Sequence, residues 1–79
     1  MMLELSEKRF SDYLRGKAET GMGYWIATVR LKDGRVFPQA VIVGGCLTRI
    51  KGEAGIPFSR EDIADLEITH DKWDWRGDD

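Results

Sequence analysis

The dipeptide Asp33-Gly34 stands between two alternating apolar runs, "YWIATVRLK" and "RVFPQAVIV". In that setting an Asp-Gly pair is a strong hairpin signal, because a tight type I′ turn needs positive φ at both central residues. A turn of defined length fixes the strand register, and a one-residue slip would send every side chain to the opposite face. Counting back from a two-residue turn, Lys32 pairs with Arg35, Leu31 with Val36, Val29 with Pro38, Ala27 with Ala40 and Trp25 with Ile42. From Leu31 outward every pair is apolar. The opposite face then holds Thr28, Arg30, Lys32, Arg35 and Gln39, together with Tyr24, Ile26, Phe37, Val41 and Val43.

The second strand is therefore apolar on both faces. "GGCLTRIKGE" continues with a turn at Gly44-Gly45 and a third strand from Cys46 to Lys51. A two-residue turn there sets Leu47, Arg49 and Lys51 on the face of Ile42, yet the two cations favour solvent. The second strand is expected to change its buried face along its length. Pro38 marks the place for a bulge or bend, because it cannot donate to a ladder. A bent strand shared by two halves of a sheet is how small barrels close.

Before the hairpin, "LSEKRFSDYLRG" predicts a helix over about 6–15. Ser6 is the expected N-cap, Leu5 and Phe10 have the spacing of a hydrophobic staple, and Gly16 is a left-handed stop. Phe10, Tyr13 and Leu14 form one stripe. So short a helix needs something to pack on. After the third strand, "AGIPFS" reads as a short strand or extended segment. "FSREDIADLEIT" has two readings. The capping box of Ser59 and Asp62 starts a short helix, or Ser59 to Ile63 is one 3-10 turn and Leu66 and Ile68 belong to a final strand. The second is preferred. Trp73 and Trp75 alternate with charges in the tail, 71–79.

Residues 26 to 69 resemble the Sm-like family, the small bent barrels of Sm and LSm proteins and of bacterial Hfq. "VRLKDGRVF" is similar to that family's first motif, an alternating strand ending in Leu-x-(Asn/Asp)-Gly, and Ile63 falls where the family places the isoleucine of its second motif. Three positions depart. Pro38-Gln39 replaces a mid-strand glycine, and Gly44-Gly45-Cys46 stands where Sm proteins carry Asp and Asn. Ser59-Arg60-Glu61-Asp62 replaces the Tyr-Lys-His of Hfq. The last two sites are RNA-contacting in the family. The resemblance implies a barrel that assembles through its edge strands into a ring or another homo-oligomer, with affinity for single-stranded RNA. The expected fold is mainly β: one domain over 1–79, a small bent five-stranded SH3-like or Sm-like barrel over about 22–70, with an N-terminal α-helix.

A net charge of −2 gives no global attraction to nucleic acid, so RNA binding would need a local basic face. Arg30, Lys32, Arg35, Arg49, Lys51 and Arg60 cluster in the strand region, with Tyr24 and Phe37 as candidates to stack a base. Set against this, such cations also serve simply to discourage edge pairing. Trp25 reads as core, and Trp73 and Trp75 as docked tail residues or an interaction surface. His70-Asp71 lacks the further ligands of a metal site, and Cys46 lacks a base within reach. No catalytic set, metal or cofactor is expected. One cysteine excludes an intrachain disulfide. The acidic start "MMLELSEKRF" does not read as a signal peptide, and no stretch approaches the ~20 apolar residues of a membrane span. The expectation is a cytoplasmic, non-catalytic oligomeric module with RNA as leading partner. The competing reading is an SH3-like protein-interaction or regulatory adaptor with a protein partner.

Overall fold

The computed structural model describes residues 3–5 and 7–71. In chain order the elements are strand β1 (Leu3–Glu4), helix α1 (Lys8–Arg15), strands β2 (Trp25–Leu31), β3 (Val36–Val43) and β4 (Cys46–Ile50), a 3-10 turn (Arg60–Asp62), and strand β5 (Ile63–Thr69). The five strands form one antiparallel sheet in the order β1-β4-β3-β2-β5, curled into a half-barrel. The mainly β barrel-like fold with one helix near the N-terminus is thus present. Its fifth strand is a different one from that expected. Residues 54–59 form no strand, and β1 supplies the extra member instead.

Alternation along β2 places Ala27, Val29 and Leu31 in the main core with Ala40, Ile42, Leu47, Ile50, Ile63 and Leu66. Trp25 packs against this core half-buried, its Nε1 donating to the Lys17 carbonyl at 3.2 Å. The hairpin register contains two offsets that cancel. The connection spans three residues, because the Leu31 amide donates to the Arg35 carbonyl at 2.9 Å and Arg30 pairs with Val36. Within it only Gly34 has positive φ, +96°, so the type I′ turn is replaced by a three-residue loop. Asp33 instead accepts from the Arg35 amide at 3.1 Å. One extra residue then bulges from β3 at Pro38-Gln39, opposite Thr28, and restores the expected pairs Ala27–Ala40 and Trp25–Ile42. Beyond the reach of β4, Pro38 has no ladder donor to lose on that side. The bulge also turns Phe37 to the core side, where it packs on Phe58.

The conflict in the third strand has its own bulge. Val43 pairs with Cys46 and Ile42 with Leu47, but beyond Thr48 the partners are Val41–Arg49 and Ala40–Ile50. Ile50 therefore returns to the core face. Arg49 leaves it without β3 having to exchange faces there. The preferred reading of the final segment holds. Ser59 and Asp62 form a capping box on the 3-10 turn, and β5 follows directly. The Ser59 amide and hydroxyl donate to Asp62 and hold its carboxyl below the usual range.

Helix α1 begins later than predicted. Ser6 lies outside the described residues; Glu7 is the N-cap in extended conformation, without a side-chain cap. Gly16 has φ −89° rather than a left-handed angle. Phe10 and Leu14, one turn apart, bury one helix face in the half-barrel, joined by Leu5. The N-terminal segment thereby plugs the opening between the two sheet edges. On one side β1 pairs with β4 and the Leu5 amide donates to the Gly45 carbonyl at 2.9 Å. On the other, Tyr13 Oη accepts from the Ile68 amide at 3.0 Å and Arg9 donates to the Ala64 carbonyl at 3.3 Å. Groups of β4 at Cys46 and Leu47, and on the β5 edge the Ile68 amide and Ala64 carbonyl, are thereby occupied from within rather than left to pair with another chain.

Gln39, with φ +60°, is the one non-glycine residue with positive φ among the described residues. A left-handed L-residue costs roughly 1–2 kcal/mol, and a β-branched one suffers most. Gln39→Gly is expected to hold or raise the urea midpoint. Gln39→Val is expected to lower stability by roughly 1–2 kcal/mol relative to the Gly variant. Equal midpoints for the two variants would remove the bulge conformation as a source of strain.

Candidate interaction surface

Three of the six cations of the strand region, Arg30, Arg35 and Arg60, are paired with the chain's own acids. Arg30 on β2 lies across from Asp65 on β5, pairing with Asp65 at 3.0 Å and with Glu67. Hydrogen bonds to Glu67 and then Asp65 raise its pKa further. Arg35 pairs with Asp33 at 2.9 Å, and the Arg35 amide and guanidinium keep that carboxyl below its usual value. Arg60 spans from the 3-10 turn to the N-terminal segment, with Glu7 at 3.6 Å, Glu61 at 3.9 Å and the Glu4 carbonyl at 3.3 Å. Lys32 is exposed, and its amide donates to the Asp62 carbonyl at 2.9 Å. Arg49 is half-buried opposite Val41, and Lys51 is exposed beyond β4, its amide donating to the Gln39 carbonyl at 3.3 Å. These cations do not form one phosphate-tracking stripe. Arg30 and Arg49 sit on the convex face, whereas Arg35 and Arg60 belong to the hairpin end and the N-terminal plug.

The two candidate stacking residues separate as well. Tyr24 is buried on the convex face, 8% exposed, with its ring tight against Gly21. A Cβ at Gly21 would fall 2.5 Å from that ring. Phe37 lies at the hairpin end, 5.3 Å from Phe58 between ring centroids at a 42° tilt, with the Arg35 guanidinium 5.9 Å from its own centroid. Trp73 and Trp75 lie outside the described residues.

Around the Phe37–Phe58 pair the hairpin end carries an apolar rim that sequence reasoning did not single out. Both rings are half-buried, as is Ile56, and Pro57 between Ile56 and Phe58 is exposed; Val36, 53% exposed, pairs with Arg30 and faces the convex side instead. The expected alternation assigned Phe37 to the opposite face, so its contact with Phe58 could not be foreseen without the bulge. The signal that could have found it is the pair of Pro-adjacent phenylalanines, "FP" and "PF".

No cluster of three His, Cys, Asp or Glu able to hold a metal occurs among the described residues. Cys46 is a free, half-buried thiol at the start of β4, and His70 is exposed past β5. A shallow pocket of ≈ 160 Å³ lies between α1 and the β5 edge, lined by Arg9, Phe10, Tyr13, Ala64, Asp65 and Leu66. It holds an arginine, a tyrosine and a carboxylate, but no nucleophile with a neighbouring base. Among the described residues no helix is long and apolar enough to cross a membrane.

No family model matches the chain, and neither a curated protein nor a solved structure shows significant similarity to it. The small barrel-like fold is consistent with both the Sm-like and the SH3-like readings.

Proposed function

We propose that this chain is a non-catalytic, SH3-like interaction module that binds a protein partner at its hairpin end. The observation that carries this reading is the apolar rim. Two half-buried phenylalanines meet there at a tilt, with half-buried Ile56 and exposed Pro57 next to Phe58 in the chain. Aromatic surface of this kind gives contact area at low entropic cost, and grooves between aromatic rings are a common seat for extended, proline-bearing peptides. Pairing of Arg30, Arg35 and Arg60 with internal carboxylates supports a protein partner over RNA, because a phosphate would have to displace those acids. Ring assembly through the sheet edges, as the Sm-like resemblance implies, would likewise require displacing β1 or the Tyr13 and Arg9 contacts. A single cysteine suits a reducing, cytoplasmic setting.

Two measurements made side by side test the reading. Ile56→Ser and Pro57→Asp should retain the fold and lose the proteins that the wild-type chain captures from lysate. The wild-type chain should not retain oligo-U or oligo-A at low salt. If the rim variants capture the same set of proteins, the rim is not the site. Salt-dependent oligonucleotide retention that disappears when Arg49, Lys51 and Arg60 become Ala, together with a ring-sized particle in light scattering, would instead establish the oligomeric Sm-like RNA module.

A further inference from the structure

Helix α1 meets the outer edge of β5 at two points and leaves a gap between them. Arg9 Nη1 donates to the Ala64 carbonyl at 3.3 Å, and Tyr13 Oη accepts from the Ile68 amide at 3.0 Å. β5 ends the sheet, with β2 on its other side. Along a strand, successive residues turn their backbone groups alternately toward the neighbouring strand and away from it. Ala64 and Ile68 turn theirs away from β2, so Leu66, midway between them, does the same. The Leu66 amide therefore faces the ≈ 160 Å³ pocket between α1 and β5, which Leu66 helps to line.

Three donors converge on this pocket. The Arg9 guanidinium lies 4.2 Å from the centroid of the Phe10 ring, and Glu7 is 3.5 Å from its Nε. Its Nη2 has no partner among the described residues. The Tyr13 hydroxyl accepts one bond and still has its own proton to give. The Leu66 amide is the third donor. The Leu66 carbonyl faces the same way, so donors outnumber acceptors. Asp65 also lines the pocket, but its carboxylate is engaged 3.0 Å from Arg30 across the strands. Buried Phe10, with Ala64 and Leu66, supplies an apolar wall. Pockets for drug-sized molecules hold roughly 300–1,000 Å³, so this one suits a group the size of a single side chain.

We propose that the pocket between α1 and β5 is a carboxylate-binding site. One carboxylate oxygen accepts from Arg9 Nη2 and the Leu66 amide, and the other from the Tyr13 hydroxyl. A short aliphatic stem lies against Phe10 and Leu66. The charge of Arg9 selects the anion over a neutral amide of the same shape, because hydrogen bonds between charged groups are the stronger ones. The carboxylate belongs either to a free short-chain acid or to an acidic side chain of another protein, and the chemistry at the pocket is the same for both. The site shares no residue with the hairpin rim, and the inference stands whether or not the rim binds a partner.

Sodium propanoate, titrated into the isotope-labelled full-length chain at constant ionic strength, should shift the Leu66 amide and Arg9 Nε resonances along one saturable curve. Propanamide, matched in shape but uncharged, should bind at least about tenfold more weakly. Arg9→Gln should weaken propanoate binding by a similar factor, and Tyr13→Phe by a smaller one. Lys8→Gln removes an exposed cation from the same helix without touching the pocket and should leave binding unchanged. N-acetylglutamate N-methylamide, whose side-chain carboxylate sits between two peptide groups, separates the sources. Binding tighter than that of propanoate indicates a protein bearer, and equal or weaker binding a free acid. Shifts that never saturate, or an equal response to propanamide in the wild-type chain, would overturn the inference. So would propanoate binding that is undiminished in Arg9→Gln while the amide spectrum of the core strands is kept.

Discussion

Replacement of Ile42 by Ala should remove a large fraction of the domain's stability. Ile42 is fully buried at the centre of the core face, between Trp25 on β2 and Leu47 on β4. Truncation of a buried isoleucine to alanine costs about 2–5 kcal/mol, combining the lost transfer energy with a cavity that close packing cannot refill. At roughly 0.05–0.15 kcal/mol per residue, a domain of this length holds only about 4–12 kcal/mol in total. In a domain this small each kilocalorie shifts the melting temperature by about 4–8 °C, so a fall of at least about 8 °C is expected by calorimetry or circular dichroism. Val36→Ala is the control. Val36 is on the neighbouring part of the same strand but 53% exposed, and its change should stay within about 0.5 kcal/mol. If Ile42→Ala also melts within a degree or two of wild type, the half-barrel core is not packed as described.

The features legible in sequence were those set by local rules. The hairpin, its apolar pairs, the bulge at Pro38, the capping box at Ser59 and the strand after it follow from turn chemistry and period-two alternation. Residues outside those rules were not legible. The three-residue loop and the Pro38-Gln39 bulge each shift register by one, in opposite senses, so counting from the turn reached the right far pairs by the wrong route. Thr48 carries no bulge signal of its own, yet its bulge returns Ile50 to the core and releases Arg49 from it. A two-residue strand such as Leu3–Glu4 is too short for any periodicity. The candidate site suffered for the same reason. Arg30 reads as a free cation until β5 brings Asp65 and Glu67 beside it, from 35 and 37 residues away in sequence. Phe37 reads as exposed until one bulged residue turns it inward to Phe58.

The segment "KAETGMG" reads as a plain polar connector, and it contains the second residue whose loss should be severe. Thr20 is the one buried polar side chain among the described residues, 5% exposed. Its hydroxyl accepts from the Ile26 amide at 2.8 Å and donates to the Thr69 carbonyl at 2.6 Å. Those two backbone groups belong to the ends of β2 and β5, which pair with each other at Ile26 and Thr69. One hydroxyl therefore clips the linker to two strands and brings it to the convex face. Thr20→Val keeps the shape and removes both bonds. It leaves a buried amide without its acceptor, at about 1–3 kcal/mol for such a group, and deprives the Thr69 carbonyl of a donor. The expected loss is the second largest of any single substitution considered, after Ile42→Ala. Thr20→Ser should restore most of it, because the hydroxyl returns and only a methyl is missing. A simple packing role would reverse that order, with Val above Ser, so the relative urea midpoints of the two variants decide between a clip and a filler. Hydrogen exchange at the Ile26 amide gives a second readout. It should accelerate in Thr20→Val far more than exchange at Ala27, which has the ladder alone to protect it.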